Sequence, residues 1–305
     1  MMPARPISRR DFLSASAGLL ASATLARPAA PAESAEPIID IHQHTNYAGR
    51  TDAQLIAHQR AMGIRTTVLL PAGRFYGLDA KCGPNQTVVD LARRHPGQFV
   101  HFANEVADLE EAPAEVRWFL KRGAIGIGEQ KFRVGADSRF LERLARLAEE
   151  FRVPMLLHFQ HGVYNTGLEN FHKTIEKFPK VNFIGHAQTW WGNVDARHEQ
   201  KVLYPTGRVT PGGITDRLLA DYPNVFADHS AGSGLNFLVR DPEFAAGFLE
   251  RHQNKLLFGS DCDDLLGRGP GCQGAQILAR LRQLAPSKAV ERKILHDNAK
   301  KVLGL

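Results

Sequence analysis

Short apolar runs alternate with amphipathic segments eight times between Ile38 and Asp264. The runs are 38–45, 66–72, 99–106, 124–132, 154–162, 182–188, 225–231 and 256–264, each rich in Val, Ile, Leu or Phe. Strands that are apolar along their whole length are buried on both faces, the mark of parallel pairing. The intervening segments read as helices with legible ends. Thr51-Asp52-Ala53-Gln54 is a capping box, and Gly63 follows as a C-terminal stop. Asp241-Pro242 is an N-cap followed by a proline in the first turn, where a missing N–H costs nothing. Phe140, Leu141, Leu144, Leu147, Ala148 and Phe151 form one stripe at helical spacing. Eight strand–helix units in about 270 residues predict one closed (β/α)8 TIM barrel over residues 37–305, with a doubly wound open sheet as the alternative. No Gly-x-Gly-x-x-Gly follows the first run, which argues against a dinucleotide-binding version.

Most runs end in polar residues. In Ile38-Ile39-Asp40-Ile41-His42-Gln43-His44 a period of two places Asp40, His42 and His44 on one face. The fourth run ends in Gly128-Glu129-Gln130-Lys131, the fifth carries His158, the sixth His186 and the eighth Asp261. Any one of these is equally readable as a satisfied strand residue. In a barrel, however, strand ends meet on the C-terminal rim, so all of them belong to one site. Four imidazoles with one or two carboxylates are the donor set of a borderline divalent cation such as zinc, held at about 2 Å. One or two ions fit that set.

The first 36 residues read as an address. Ser8-Arg9-Arg10-Asp11-Phe12-Leu13 precedes an uncharged Ala, Ser, Gly and Leu run to Leu25 and an Ala/Pro-rich tail. The run is short for a membrane span, which predicts a signal peptide rather than a stable anchor. The paired arginines resemble the twin-arginine export signal, so the expected partner is that machinery and the expected location is periplasmic or secreted. The net charge is +6; four Arg against three acids in residues 1–36 leave +5 for the rest. The Lys and Arg are spread along helices, so no nucleic-acid role is expected. Cys82, Cys262 and Cys272 are too few for a disulfide scaffold, though one pair could close and leave one thiol over.

These residues resemble the amidohydrolase superfamily, and within it the amidohydrolase-2, or amidohydrolase-related, branch. The resemblance runs from Ile38 to Leu305. It rests on Asp40-Ile41-His42-Gln43-His44, on His158 and His186, on Gly259-Ser260-Asp261, and on a closing segment 294–303 that looks like the family's terminal helix. It implies that His42, His44 and Asp261 bind a first metal. It also implies that His158 and His186 bind a second, or divide metal and substrate between them. Members with two metals bridge them with a carboxylated lysine or a glutamate from the fourth strand. Here Glu129, in Gly-Glu as in the glutamate-bearing relatives, is preferred to Lys131; an ion pair between the two is the alternative.

Bound zinc lowers the pKa of water from about 15.7 toward about 7. The expected chemistry is therefore hydroxide attack on an ester, lactone or amide carbonyl of a small molecule. His186 would help polarise the carbonyl, and Asp261 would move the proton. Weaker substrate-binding candidates are Arg208 and Trp190, both in a long connection from Thr189 to Gly213, His229 in Asp228-His229-Ser230, which ends the seventh strand and is expected to face the rim unless the next strand satisfies the imidazole, and Lys131. A metal-dependent decarboxylase of a small aromatic or unsaturated acid is the second reading, and a non-catalytic binding barrel, alone or as a homo-oligomer, the third.

Overall fold

The computed structural model describes residues 36–73 and 82–305, and the export-type motif at Arg9-Arg10 lies outside the described residues. Residues 37–305 form one compact unit. Each of the eight apolar runs coincides with a strand, β2 starting two residues ahead of its run: β1 Ile38–Gln43, β2 Ile64–Leu69, β3 Phe99–His101, β4 Ile127–Gln130, β5 Met155–His158, β6 Phe183–His186, β7 Val225–His229 and β8 Leu256–Phe258. Neighbouring strands pair in parallel, as residues buried on both faces require. The strands stop sooner than the runs, because the last residues of each run leave the ladder to furnish the rim.

Regular pairing covers β1-β2-β3 and β4-β5-β6-β7-β8. Two seams join these sheets into the (β/α)8 fold. Between β3 and β4, the Ala103 N–H bonds Gly126 O at 2.9 Å and the Gly128 N–H bonds Ala103 O at 2.9 Å. Between β8 and β1, the Asp261 N–H bonds His42 O at 2.8 Å. A side chain reinforces this second seam. Asp40 accepts the Ser260 N–H at 2.9 Å, the Ser260 hydroxyl at 2.5 Å and Gln59 Nε2 at 3.0 Å.

That use of Asp40 corrects the alternation read from the sequence. Ile39 and Ile41 pack with Val68, Phe102, Leu156, Ile184 and Leu257 in the inner cluster, closed by Ala299, Val302 and Leu303 of the last helix. Asp40 therefore turns toward helix Asp52–Ala61, which carries Gln59, and away from the barrel interior. A register irregularity between Asp40 and Gln43 then shifts the alternation, so that His42 joins the rim. The outer strand faces and the helices share the larger cluster, which includes Leu141, Leu144, Leu147 and Ala148 of helix Arg139–Phe151. Thr51 and Gln54 form the reciprocal cap, and the Asp241 side chain caps helix Pro242–Arg251. Among the described residues no helix is long and apolar enough to cross a membrane.

Candidate metal centre

The ends of β1, β4, β5, β6 and β8 bring His42, His44, Glu129, His158, His186 and Asp261 together. Each imidazole uses Nδ1 on a fixed partner. His42 Nδ1 lies 2.7 Å from Asp228 Oδ2, His44 Nδ1 donates to Leu70 O at 2.7 Å, and His158 Nδ1 donates to Glu129 Oε1 at 2.5 Å. His186 Nδ1 meets Ser230 Oγ at 2.9 Å, and that hydroxyl in turn donates to Asp228 Oδ2 at 2.7 Å. With Nδ1 engaged, His42, His44 and His186 present Nε2 as the metal-facing nitrogen, whereas His158 turns Nδ1 onto Glu129 and belongs to neither donor triad. The Nε2 atoms of His42, His158 and His186 and Asp261 Oδ1 are buried without a hydrogen-bond partner. Leaving such atoms unpaired is costly, and a cation would satisfy those of His42, His186 and Asp261.

The spacing suits that occupant. His42 Nε2 and His44 Nε2 each lie 3.6 Å from Glu129 Oε2, and 3.7 and 3.4 Å from Asp261 Oδ1. Donors about 2.1 Å from one tetrahedral ion stand roughly 3.4 Å apart. The second oxygens of the same two carboxylates face His186 Nε2, at 3.7 Å for Glu129 Oε1 and 3.5 Å for Asp261 Oδ2. Glu129 and Asp261 thus address His42 and His44 on one side and His186 on the other, and two overlapping donor triads share His42.

The electrostatics fit a place built for positive charge. Burial alone would raise Asp228, but His42 and His186 hold it at about 2. Glu129 and Asp261 lie well below the ordinary carboxylate range, since the imidazoles outweigh their burial. Burial opposes charge on His44, yet Cys82 and Asp261 push it up to about 10. His42 also rises, its burial outweighed by Asp261 and Asp228, whereas burial keeps His158 low despite Glu129. Backbone conformation shapes the site as well. Asp261 takes φ 38°, a left-handed value that costs a non-glycine residue about 1–3 kcal/mol and is held here by its N–H bond to His42 O. Gly259 allows the close approach, because a Cβ there would lie 2.4 Å from Asp228 Oδ1 and 2.9 Å from His42 Cβ.

The weaker sequence candidates are placed differently. Lys131 stands over the Tyr164 ring at 5.6 Å, and the Tyr164 ring packs edge-on against His158 at 5.6 Å. Trp190 is fully buried, stacked on Phe159 and pressed against the backbone of Gly185. Arg208 is a surface side chain paired with Glu243. His229 is buried against Trp191 and Phe237 with both ring nitrogens unpartnered, and burial pushes it down to about 3. Asp228 near the end of β7 and Ser230 just beyond it, at alternate positions, are the residues here that reach the cluster. Tyr47 was also missed: its ring meets His44 edge-on at 4.9 Å, and burial together with Asp261 keeps its hydroxyl protonated. The sequence signal for Asp228 was its two-residue offset from Phe226, which packs in the inner cluster. Tyr47 sits in an irregular turn and had no such signal.

The amidohydrolase family model matches residues 39–305. Among curated proteins none matches the chain. Among solved structures, an uncharacterised TIM-barrel protein of Bordetella bronchiseptica is similar at 17% identity and TM-score 0.63, over 88% of this chain and 98% of that one. Dihydroorotase of Campylobacter jejuni is similar at 16% identity and TM-score 0.57, over 88% and 84% of the two chains. The 5-carboxyvanillate decarboxylase of Novosphingobium aromaticivorans, solved with manganese and a nitrobenzoic acid, is similar at 15% identity and TM-score 0.54, over 90% and 97%. At such identities the likeness is one of fold.

Proposed function

The chain belongs to the amidohydrolase family, and from that premise we propose that it is a metal-dependent hydrolase of an ester, lactone or amide bond in a small molecule. The observation that carries the reading is the set of buried, unpartnered Nε2 atoms of His42 and His186 with Asp261 Oδ1, all members of the two donor triads. His42, His44, Glu129 and Asp261 would hold a divalent cation, zinc by donor type, with His186 on the far side of both carboxylates. When bound, such a cation supplies a Lewis acid and lowers the pKa of water toward about 7.

The remaining work falls to the chain. Asp261, whose side chain keeps 10% of its exposure and so faces the mouth, takes the proton of the attacking water and delivers it to the leaving group. In a one-metal site His186, held by Ser230 and Asp228 and drawn against its burial toward its protonated form by Asp228 and Asp261, would be free to donate from Nε2 to the oxygen that gains charge. Asp228 keeps the His42 and His186 rings oriented and so acts through them.

Metal quantification joined to turnover on a panel of lactones, esters, amides and carboxylic acids tests the reading. Asp261→Asn should lower hydrolysis by orders of magnitude in protein that stays folded, and near-normal turnover in that variant would remove Asp261 from the role. One observation favours a second reading, decarboxylation of a small acid. Lys131 and Arg133 both lie near the Tyr164 ring beside His158, a basic edge suited to a substrate carboxylate. Carbon dioxide release from the acids, with no hydrolysis, would select it. Export is a separate proposal supported by Arg9-Arg10 and the apolar run behind them. Arg9→Lys/Arg10→Lys should trap the protein in the cytoplasm, and unchanged export would discard the idea.

A further inference from the structure

A second cluster of donors lies on the other side of the β8 end. His58 Nε2 is 3.3 Å from Cys262 Sγ and 3.4 Å from Cys272 Sγ, and the two sulfurs are 3.8 Å apart. Asp264 Oδ2 stands 3.5 Å from the same His58 nitrogen. His58, Cys262 and Cys272 are buried, and Asp264 keeps 15% of its side-chain exposure. The three separations among His58, Cys262 and Cys272 match one face of a small tetrahedron: sulfurs about 2.3 Å from a zinc ion lie roughly 3.8 Å apart, and a sulfur and an imidazole nitrogen roughly 3.5 Å. From this geometry we infer that His58, Cys262 and Cys272, with Asp264 beside His58, form a buried site for one zinc-type cation, distinct from the centre at the barrel mouth.

The surroundings are those of a structural site. All three donors are buried, whereas the mouth keeps Asp261 partly exposed. Ala275 N–H donates to Cys272 Sγ at 3.3 Å, the contact a thiolate ligand takes when it also caps a helix, here Gln273–Leu284. Met62 lies 3.9 Å from the same sulfur, and a Cβ on Gly274 would lie 3.3 Å from Cys262 Sγ, so the thiols are sealed by apolar atoms and backbone. Binding would displace two thiol protons. It would also tie the loop from Cys262 to Cys272 to helix Asp52–Ala61, which carries His58. Asp261 begins that loop, so the cation would act as a staple that fixes the one carboxylate the mouth draws from β8. Soft sulfur donors select zinc-type ions over magnesium or calcium. A Cys262–Cys272 disulfide is the competing state, although all three cysteines are free here.

Cobalt separates the two centres, because only a thiolate ligand adds sulfur-to-cobalt charge-transfer absorption in the near ultraviolet. Full-length protein produced in cobalt-supplemented medium and kept reduced should show that band. It should persist in Cys82→Ser, which removes the thiol near His44, and vanish in Cys272→Ser. Zinc-grown wild type should hold one more zinc per chain than Cys272→Ser. Protein isolated without reductant and then denatured should yield three titratable thiols. Absence of the band from reduced wild type, or its loss in Cys82→Ser and survival in Cys272→Ser, overturns the site. A yield of one thiol also overturns it, since the pair is then a disulfide. Should Cys272→Ser fail to fold, the Cys82→Ser protein decides alone: band present supports the site, band absent removes it.

Discussion

Asp261 and Cys262 are adjacent in the chain, yet they serve two unlike clusters of donors. Asp261 joins nitrogen and oxygen atoms at the barrel mouth, where its side chain is still 10% exposed. Cys262 joins nitrogen and sulfur atoms between the barrel and helix Asp52–Ala61, sealed by Met62 and Gly274. Asp261 lies three residues past the end of β8 with a left-handed φ of 38°, and at this turn one peptide unit is enough to separate the two environments. The open cluster can admit a reacting molecule; the closed one can only hold the chain.

The sharpest break of that contrast is His42→Ala, which removes the residue shared by both donor triads. Metal at the mouth and turnover should both fall to background, while the near-ultraviolet cobalt band of the closed cluster remains. Loss of the band as well would show that the clusters are one unit. Asp228→Asn comes next. It leaves every donor in place but removes the carboxylate behind His42 and His186, and should weaken metal affinity or activity by about 10–100-fold, read by competition with a chelator.

The pH dependence of metal-free protein sharpens the same contrast. His44 is held up at about 10 against an unfolded value of about 6.5. Its contribution to stability is thus complete below about pH 6.5 and is lost as pH rises through 10. Asp228 is held down at about 2 against about 3.9. Its contribution is complete above about pH 4 and is lost as pH falls toward 2. A metal ligand must be neutral imidazole, so loading should flatten the alkaline fall in Tm between pH 7 and 10. Equal slopes with and without metal would mean that His44 is not a ligand.

Smaller effects mark the frame that carries the clusters. Asp40→Ala strands the Ser260 N–H and hydroxyl at the β8–β1 seam and should cost about 3 kcal/mol in denaturant unfolding. Thr51→Ala removes the cap of the helix that carries His58 and should cost about 1 kcal/mol, with turnover unchanged.

How much of this was legible in the sequence follows from the range of each signal. Strand positions were, because burial on both faces writes itself into eight continuous apolar runs. The caps at Thr51 and Asp241 were, because a cap acts within four residues. The six donors His42, His44, Glu129, His158, His186 and Asp261 could be pooled because a barrel collects strand ends. What failed was alternation across an irregularity. The register shift after Asp40 cannot be read from an unbroken Ile-x-Ile pattern, and Asp40 went to the seam instead of the rim. At β7, imidazole chemistry pointed to His229, while strand geometry gives the cluster Asp228 and Ser230. The His58, Cys262 and Cys272 trio left no motif, since its members lie 204 and 10 positions apart and meet only through the packing of a helix on β8.

The β8–β1 seam has a consequence for assembly. His42 and His44 come from the first strand and Asp261 from the last, so the ligands at the mouth lie at opposite ends of the message as it is read. A growing chain still short of its final strand has no complete cage to offer, and the ion can be trapped only after synthesis is nearly over. Where the metal is loaded therefore follows from where the chain folds.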